Sequence, residues 1–386
     1  MDPSRRSKLR EELRADAGRL ASLAECHGTP LLVLQPHLVA RRYRQLTARL
    51  AGFRLHYAVK ASPHPVVLST IAICGGGFDV ATSAEIALLQ RLGLPMDRCI
   101  HTNPIKKPVD IDAAYAAGIR TFVVENACEA KKFAGRPADI ELLVRLAFRN
   151  PAAKSDLSSK FGVEPADAEL LVKHVISVGA QFAGFSFHVG SQTPSPQPYG
   201  TALRGTLELI AHIGETLGVH SRVIDIGGGF PVAYREPMPT IDAIADVIDG
   251  ALGPARDDFT FLAEPGRFLA ADCMTLLTSV VGSAERDGQV WHYLDDGVYG
   301  SYSNVMTEDV HPPILALREL TEDGAAEYEP VTLAGPTCDS ADVIARDYPM
   351  PRLEAEDIVV SPMMGAYTSV TSSRFNGIPA TSIVMS

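Results

Sequence analysis

Between residues 53 and 263 the chain alternates short apolar runs with longer stretches of helical spacing, and this alternation limits the folds open to it more than any other feature. The short runs are Phe53–Val59, Phe78–Ala81, Cys99–Thr102, Thr121–Val124, Ile140–Ala147, Phe182–Phe187, Arg222–Ile226 and Phe259–Ala263. Between them, Pro65–Ile73, Ser83–Leu92, Val109–Ala117, Ala127–Phe133, Pro165–Ser177, Tyr199–Leu217 and Ile241–Ala251 carry apolar residues three and four apart. Several of these begin after Ser, Thr, Asn or Pro and stop at Gly93, Gly118, Gly179 or Gly218, the usual start and stop chemistry of helices. The pattern predicts an α/β fold, a (β/α)8 TIM-like barrel, with a doubly wound open sheet as the competing arrangement.

A barrel of this kind carries its chemistry just after its strands. The sequence places Lys60, Asp79, Asn103, Glu125, Arg145, His188, the triplet Gly227-Gly228-Gly229 and Glu264 at or near those eight ends. Turn chemistry alone puts polar residues and glycine at strand ends, but one lysine, one histidine, one arginine and three carboxylates together are harder to dismiss.

Lys60 closes the run Leu55-His56-Tyr57-Ala58-Val59-Lys60, just before the break at Ala61-Ser62-Pro63. A lysine so placed can form a Schiff base with an aldehyde once its surroundings favour the neutral amine. Glu264, in Ala-Glu-Pro-Gly-Arg, can pair with a pyridinium nitrogen and keep it protonated, and Arg267 can grip a phosphate with its planar fork. Three glycines let backbone N–H groups approach an anion, although the spacing is neither GxGxxG nor GxxxxGK[ST]. His188 can stack on a flat ring, Ser191 can donate to a phosphate, and Cys338-Asp339 pairs a thiol with a carboxylate, a combination suited to donating a proton and binding an amine. Taken singly, each has a plainer structural reading: a solvated lysine, a tight turn, an internal Glu–Arg pair, a hydrogen-bonded histidine, a buried cysteine.

Outside the barrel the texture changes. Residues 5–27 read as one helix leading into the strand Pro30–Leu34. After Arg267 come Met274–Val281, Gln289–Leu294 across an Asp287-Gly288 turn, Glu329–Ala334, Asp357–Val360 and Ser382–Val384. Residues 36–268 therefore form the expected barrel, and 1–35 with 269–386 a mainly antiparallel β domain completed by the N-terminal strand.

Composition narrows the function classes. A net charge of −11 over 386 residues opposes binding to nucleic acid or an anionic membrane and favours small cationic substrates. No apolar run approaches the roughly 18 residues of a membrane span, and Met1–Arg14 is charged with no apolar signal core, which points to a cytoplasmic protein. The six cysteines lack CxxC spacing, so neither a metal site nor a disulfide framework is expected.

Six motifs, in order, carry a resemblance: Tyr57-Ala58-Val59-Lys60, Phe187-His188-Val189-Gly190-Ser191, Asp225-Ile226-Gly227-Gly228-Gly229-Phe230-Pro231, Glu264-Pro265-Gly266-Arg267, Gly335-Pro336-Thr337-Cys338-Asp339 and Gly365-Ala366-Tyr367-Thr368, with Phe375-Asn376-Gly377 behind the last. They resemble the fold type III pyridoxal-phosphate decarboxylases, nearest the ornithine decarboxylase branch, over residues 30–379. The resemblance implies that Lys60 binds pyridoxal 5′-phosphate as a Schiff base, Glu264 pairs with its ring nitrogen and His188 stacks on its face. Ser191, Gly228, Gly229, Arg267 and Tyr367 would hold the phosphate, Gly266 would also bind the cofactor, and Asp79, Glu85 and Arg145 would surround the cofactor and Lys60. It also implies a head-to-tail homodimer in which Cys338 and Asp339 come from the second subunit, with Cys338 protonating the substrate carbon.

The position that would meet the distal amine falls on Glu308, with Asp309 next to it. The extra methylene of Glu308 leaves ornithine, lysine, arginine or 2,4-diaminobutyrate open. Diaminopimelate would need a distal carboxylate binder that is not evident. An amino-acid racemase and a catalytically inactive regulatory relative are the alternatives to a decarboxylase.

Overall fold

The computed structural model describes residues 1–322 and 327–386 and divides into two compact units. One comprises Ala40–Val232 and Met238–Leu269; the other comprises Met1–Val39, Ala233–Pro237 and Ala270–Ser386.

The first unit is a closed barrel of eight parallel strands in sequential order. The strands are Phe53–Ala58, Gly77–Val80, Cys99–His101, Thr121–Val124, Glu141–Leu146, Gln181–Phe187, Val223–Asp225 and Thr260–Ala263. The last strand closes on the first through the register Phe53↔Phe261 to Leu55↔Ala263, where the Phe53 and Phe261 rings stack at 5.0 Å. Ile100, Val123, Leu143, Ala183 and Leu262, from five different strands, form one apolar cluster with Val223, which fills the barrel with side chains.

Helix starts follow the local chemistry. Thr82 and Glu85 form a reciprocal capping box, while Asn126 and Thr240 cap their helices through side-chain oxygens. In the sixth strand Gly184, at φ +152°, sits so close to its neighbour that a Cβ would lie 1.9 Å from the Val223 carbonyl oxygen, which explains a glycine in the middle of an apolar run.

The second unit is built on an eight-stranded sheet. Leu31–Leu34 pairs antiparallel with the start of Met274–Arg286, so the N-terminal strand does complete this sheet. The pairing is mostly antiparallel, but two pairs are parallel: Leu31–Leu34 with Ser382–Met385, and Gln289–Leu294 with Tyr328–Ala334. Two strands were not anticipated, Leu315–Ala316 and Val343–Pro351. The latter is disguised by two prolines, by charged Arg346 and Asp347, and by Asp347 at φ +49° beside register shifts in its pairing.

The N-terminal stretch is two helices, Pro3–Arg14 and Ala17–His27, rather than one. The first is held by Arg6, which forms a two-pronged ion pair with the buried Glu319 at 2.6 and 2.9 Å. Residues Ala233–Pro237, expected within the barrel, group with the second unit instead. There Arg5 donates to the Ala233 carbonyl at 2.7 Å, and the Arg235 guanidinium sits 4.3 Å from the Tyr348 ring.

Two barrel histidines make the fold sensitive to acid. His56 and His101 are buried, and burial pushes each down to about 4. The unfolded chain takes up a proton near 6.5, whereas the folded chain refuses it until the pH nears 4. Stability is therefore complete above about pH 6.5 and falls as the pH drops toward 4, by about 3 kcal/mol for each histidine. His101→Phe, whose ring keeps the contact with Phe122, should flatten the acid limb of a urea-denaturation profile; an unchanged slope between pH 6.5 and 4 would exclude this origin.

Candidate active site

The first strand ends at Ala58, and Lys60 lies in the 3₁₀ turn Val59–Ala61 that follows, so the lysine stands beyond the strand rather than closing it. The Ala58 N–H donates to the Pro265 carbonyl at 3.2 Å, tying this turn to the loop that carries Glu264. Half of the Lys60 side chain is exposed, and its Nζ donates to Asp79 Oδ2 at 3.2 Å, while the Asp79 side chain is only 1% exposed. Thr102, just after the third strand, donates to the other Asp79 oxygen at 2.5 Å. The carboxylate is thus fixed from one side and aimed at an accessible amine from the other.

Asp225 and Glu264 meet on neighbouring strands. Asp225 is in register with Leu262, two residues before Glu264, so all three face the same way. The Glu264 N–H donates to Gly227 O at 2.8 Å. Asp225 is fully buried; its Oδ1 accepts the Gly227 N–H at 2.9 Å, and its carboxyl is hydrogen-bonded to that of Glu264. Loss of water and the neighbouring carboxylate push Glu264 well above the ordinary carboxyl range, and burial also raises Asp225. Two acids in contact away from water share a proton instead of both ionising.

The remaining strand ends complete the ring. His188 Nδ1 accepts the Gly190 N–H at 3.0 Å. Burial, followed by the charges of Arg145 and Lys60, drives this imidazole well below its usual value. His188 is therefore neutral, with its proton on Nε2. Arg145, within the fifth strand, has two guanidinium nitrogens, Nε and Nη2, without an acceptor among the described residues, and its charge is met by Glu264, Glu125, Asp225 and Asp79.

The glycine triplet is required sterically. A Cβ on Gly227 would lie 2.3 Å from Phe187 O, on Gly228 2.6 Å from Glu264 O, and on Gly229 2.3 Å from Gly190 O. Ser191 is pinned by its backbone to Ser155 at 2.9 Å, and the buried Arg267 opens the short helix Arg267–Ala270 after Gly266.

Some expected neighbours have visible structural duties. Glu85 accepts the Ala81 and Thr82 N–H groups at 2.6 and 3.2 Å, Glu125 accepts the Gly162 N–H at 2.7 Å, and Asn103 donates to Ala81 O at 3.4 Å. Asp225, Thr102 and Tyr199, whose hydroxyl holds Gly228 O at 2.8 Å, belong to this site but were not anticipated in it. Asp225 left a signal, an acid closing an apolar strand before three glycines. Tyr199 left none, because its contact joins distant segments.

Glu308, Cys338, Asp339 and Tyr367 belong to the other unit. Cys338 Sγ lies 3.2 Å from Asn376 Nδ2. Asp339 Oδ2 accepts the Tyr299 hydroxyl at 2.5 Å, and together with the Ala341 N–H this holds Asp339 below the usual carboxylate range. Tyr299 itself stacks on Phe375 at 4.6 Å. Glu308 is the half-buried last residue of the helix Ser303–Glu308, whereas Asp309 is exposed, at φ +52°, and paired with His311 at 2.8 Å. Tyr367 is half-buried at φ +55°.

The barrel-end groups suit a phosphorylated pyridine aldehyde: an accessible amine for the aldehyde, a protonated carboxyl for the ring nitrogen, a neutral imidazole for its face, and glycine amides with Arg267 for the phosphate. Comparison with known proteins agrees. Residues 37–271 match the family described as "Pyridoxal-dependent decarboxylase, pyridoxal binding domain". The chain is 34% identical over 368 residues to the lysine/ornithine decarboxylase of Selenomonas ruminantium, covering 95% of this chain and 92% of that protein. It is similar to the crystal structure of the Vibrio vulnificus lysine/ornithine decarboxylase complexed with putrescine, with TM-score 0.89, 39% identity, and 96% and 98% of the two chains covered. It is also similar to the Paramecium bursaria Chlorella virus arginine decarboxylase bound to agmatine, with TM-score 0.89, 29% identity, and coverage of 96% and 100%.

Gly228→Ala tests the triplet directly. Its Cβ would press on the Glu264 backbone and on the His188 ring, so the variant should lose about 1–3 kcal/mol of stability by thermal melting, and its affinity for pyridoxal phosphate should fall. Unchanged melting and unchanged affinity would show that the loop is looser than this packing implies.

Proposed function

This chain belongs to the pyridoxal-dependent decarboxylase family, and from that premise we propose that it removes the α-carboxylate of a basic L-amino acid, L-ornithine first, to give putrescine and CO2. The observation that carries the reading is the pairing of half-exposed Lys60 with buried Asp79 at 3.2 Å in the same ring of strand ends as a protonated Glu264. Pyridoxal 5′-phosphate, when bound, supplies the electron sink that takes up the pair left behind as CO2 departs.

The residues then divide the work. Lys60 would hold the cofactor through its amine, with Asp79 Oδ2 positioned to take and return the proton at Nζ. Glu264 keeps the proton at the ring nitrogen. His188, being neutral, covers a ring face without adding a charge beside that nitrogen. Ser191, Gly228, Gly229, Arg267 and Tyr367 would hold the phosphate, with Gly266 also at the cofactor.

Cys338, from the second subunit of a head-to-tail homodimer, delivers a proton from Sγ to the α-carbon. Asp339, ionised and steadied by Tyr299, binds an ammonium group. Glu308 rather than Asp309 meets the distal amine, because Asp309 is turned out and paired with His311. The net charge of −11 draws a cationic substrate in, and relatives solved with putrescine and agmatine support a cationic distal group.

Four measurements test this. Holoenzyme incubated separately with ornithine, lysine, arginine, 2,4-diaminobutyrate and diaminopimelate, with products identified by mass, should turn over ornithine with the highest kcat/KM. Reaction with diaminopimelate alone overturns the assignment, and an inverted amino acid without CO2 points to a racemase. Lys60→Ala should abolish the visible absorbance of lysine-bound cofactor, and Cys338→Ala should lower diamine formation by about 10²-fold or more. Mixing the inactive Lys60→Ala and Cys338→Ala proteins should restore about a quarter of wild-type activity, because half of the random dimers then contain one intact site; no recovery would place both residues in one subunit's site.

A further inference from the structure

Asp225 has no part in the mechanism above, yet it is the most deeply buried acid of the site and its nearest ionisable partner is the one group assigned to the ring nitrogen. We infer that Asp225 is a positioning residue that keeps a proton on Glu264 until the cofactor binds and then holds that proton on the ring nitrogen, an inference that rests on the decarboxylase reading. The geometry carries it. The register of the last two barrel strands sets the two acids side by side, the Gly227 N–H fixes Asp225 Oδ1, and the Asp225 and Glu264 carboxyls hydrogen-bond to each other.

Before binding, the pair carries one proton and one negative charge. When a pyridine nitrogen meets Glu264, the Glu264 O–H bond breaks, an N–H bond forms, and the electron pair stays on the carboxylate. No proton enters from solvent, and two adjacent carboxylates then face one pyridinium. Their joint field resists loss of that proton more strongly than Glu264 alone could. The other charges facing the pair are Asp79 from the second strand, which reinforces the effect, and Lys60 and Arg145 from the first turn and fifth strand, which oppose it.

Asp225→Asn separates charge from shape, because the amide oxygen still accepts the Gly227 N–H while the negative charge is gone. The readout is the 15N resonance of holoenzyme reconstituted with ring-15N pyridoxal phosphate, followed against pH. Wild type should stay protonated from neutral to mildly alkaline pH. The Asp225→Asn variant should lose at least about one pKa unit at that nitrogen, a tenfold weaker hold on the proton, with kcat reduced and KM little changed.

A variant that binds cofactor at Lys60 with an unaltered ring-nitrogen titration overturns the inference and leaves the decarboxylase reading intact. Wild type that fails to bind the cofactor at Lys60 overturns both. Should the variant not fold, the infrared spectrum of wild-type apoprotein decides: a protonated carboxylic acid band at neutral pH that Glu264→Gln removes supports the inference, and its absence overturns it.

Discussion

The structure of the barrel unit depends on a crowded set of charges held where parallel strands end. Asp79, Asp225 and Glu264 point at the same space as Lys60 and Arg145, and none of these residues is close in sequence to more than one other. The register of the sheet brings them together. Separately, each carboxylate would cost several kcal/mol to remove from water; together they are tolerable because cations offset them and because the Asp225–Glu264 pair carries a proton instead of a second charge. A rigid surround is needed to hold such a cluster, and the apolar layer of Ile100, Val123, Leu143, Ala183 and Leu262 beneath it supplies one. An electron sink works only while its ring nitrogen stays protonated, so a site that resists losing protons on the acid side of the ring is what the chemistry requires.

The second unit presents different electrostatics. Asp339 is stabilised in its charged form by an N–H and a phenol, the reverse of what burial does to Glu264. An acid kept ionised binds ammonium groups, and an acid kept protonated donates a proton. The same side-chain chemistry thus suits cation binding in one unit and proton retention in the other, with the local donors and the access of water deciding which. Glu308 fits the first class by position, half-buried at a helix end, where its longer side chain moves the carboxylate further from the backbone than an aspartate would.

Much of this was legible in the sequence, for a specific reason. A closed parallel barrel buries its strands on both faces and separates them by helices, so each element leaves an apolar signature of its own length, and the eight strands lie within a residue or two of their expected positions. The mixed sheet was harder to read. Val343–Pro351 contains prolines and an interior charged pair because its ladder is irregular, and the parallel pairing of Leu31–Leu34 with Ser382–Met385 joins chain ends that no local pattern connects. At the site, the residue types that perform chemistry were visible, while those that act through a partner were not. Thr102 and Tyr199 matter through hydrogen bonds to residues far away in sequence, and Asp225 through its carboxyl contact with Glu264, and a hydroxyl or a contact across strands has no periodicity to betray it.

The glycine triplet shows why fold and site cannot be tuned independently here. The space left by the absent Gly227 side chain is closed by Phe187 O and the His188 ring, that of Gly228 by Glu264 O and His188 Nε2, and that of Gly229 by Gly190 O. The three glycines therefore set the separation between the loop bearing His188 and the loop bearing Glu264, in addition to presenting their amides to an anion. Any side chain there would widen the gap between His188 and Glu264. A flat ring about 3.5 Å thick is sensitive to displacements of that size. The backbone contact that lets these strands close into a barrel is the same contact that fixes the width of the slot.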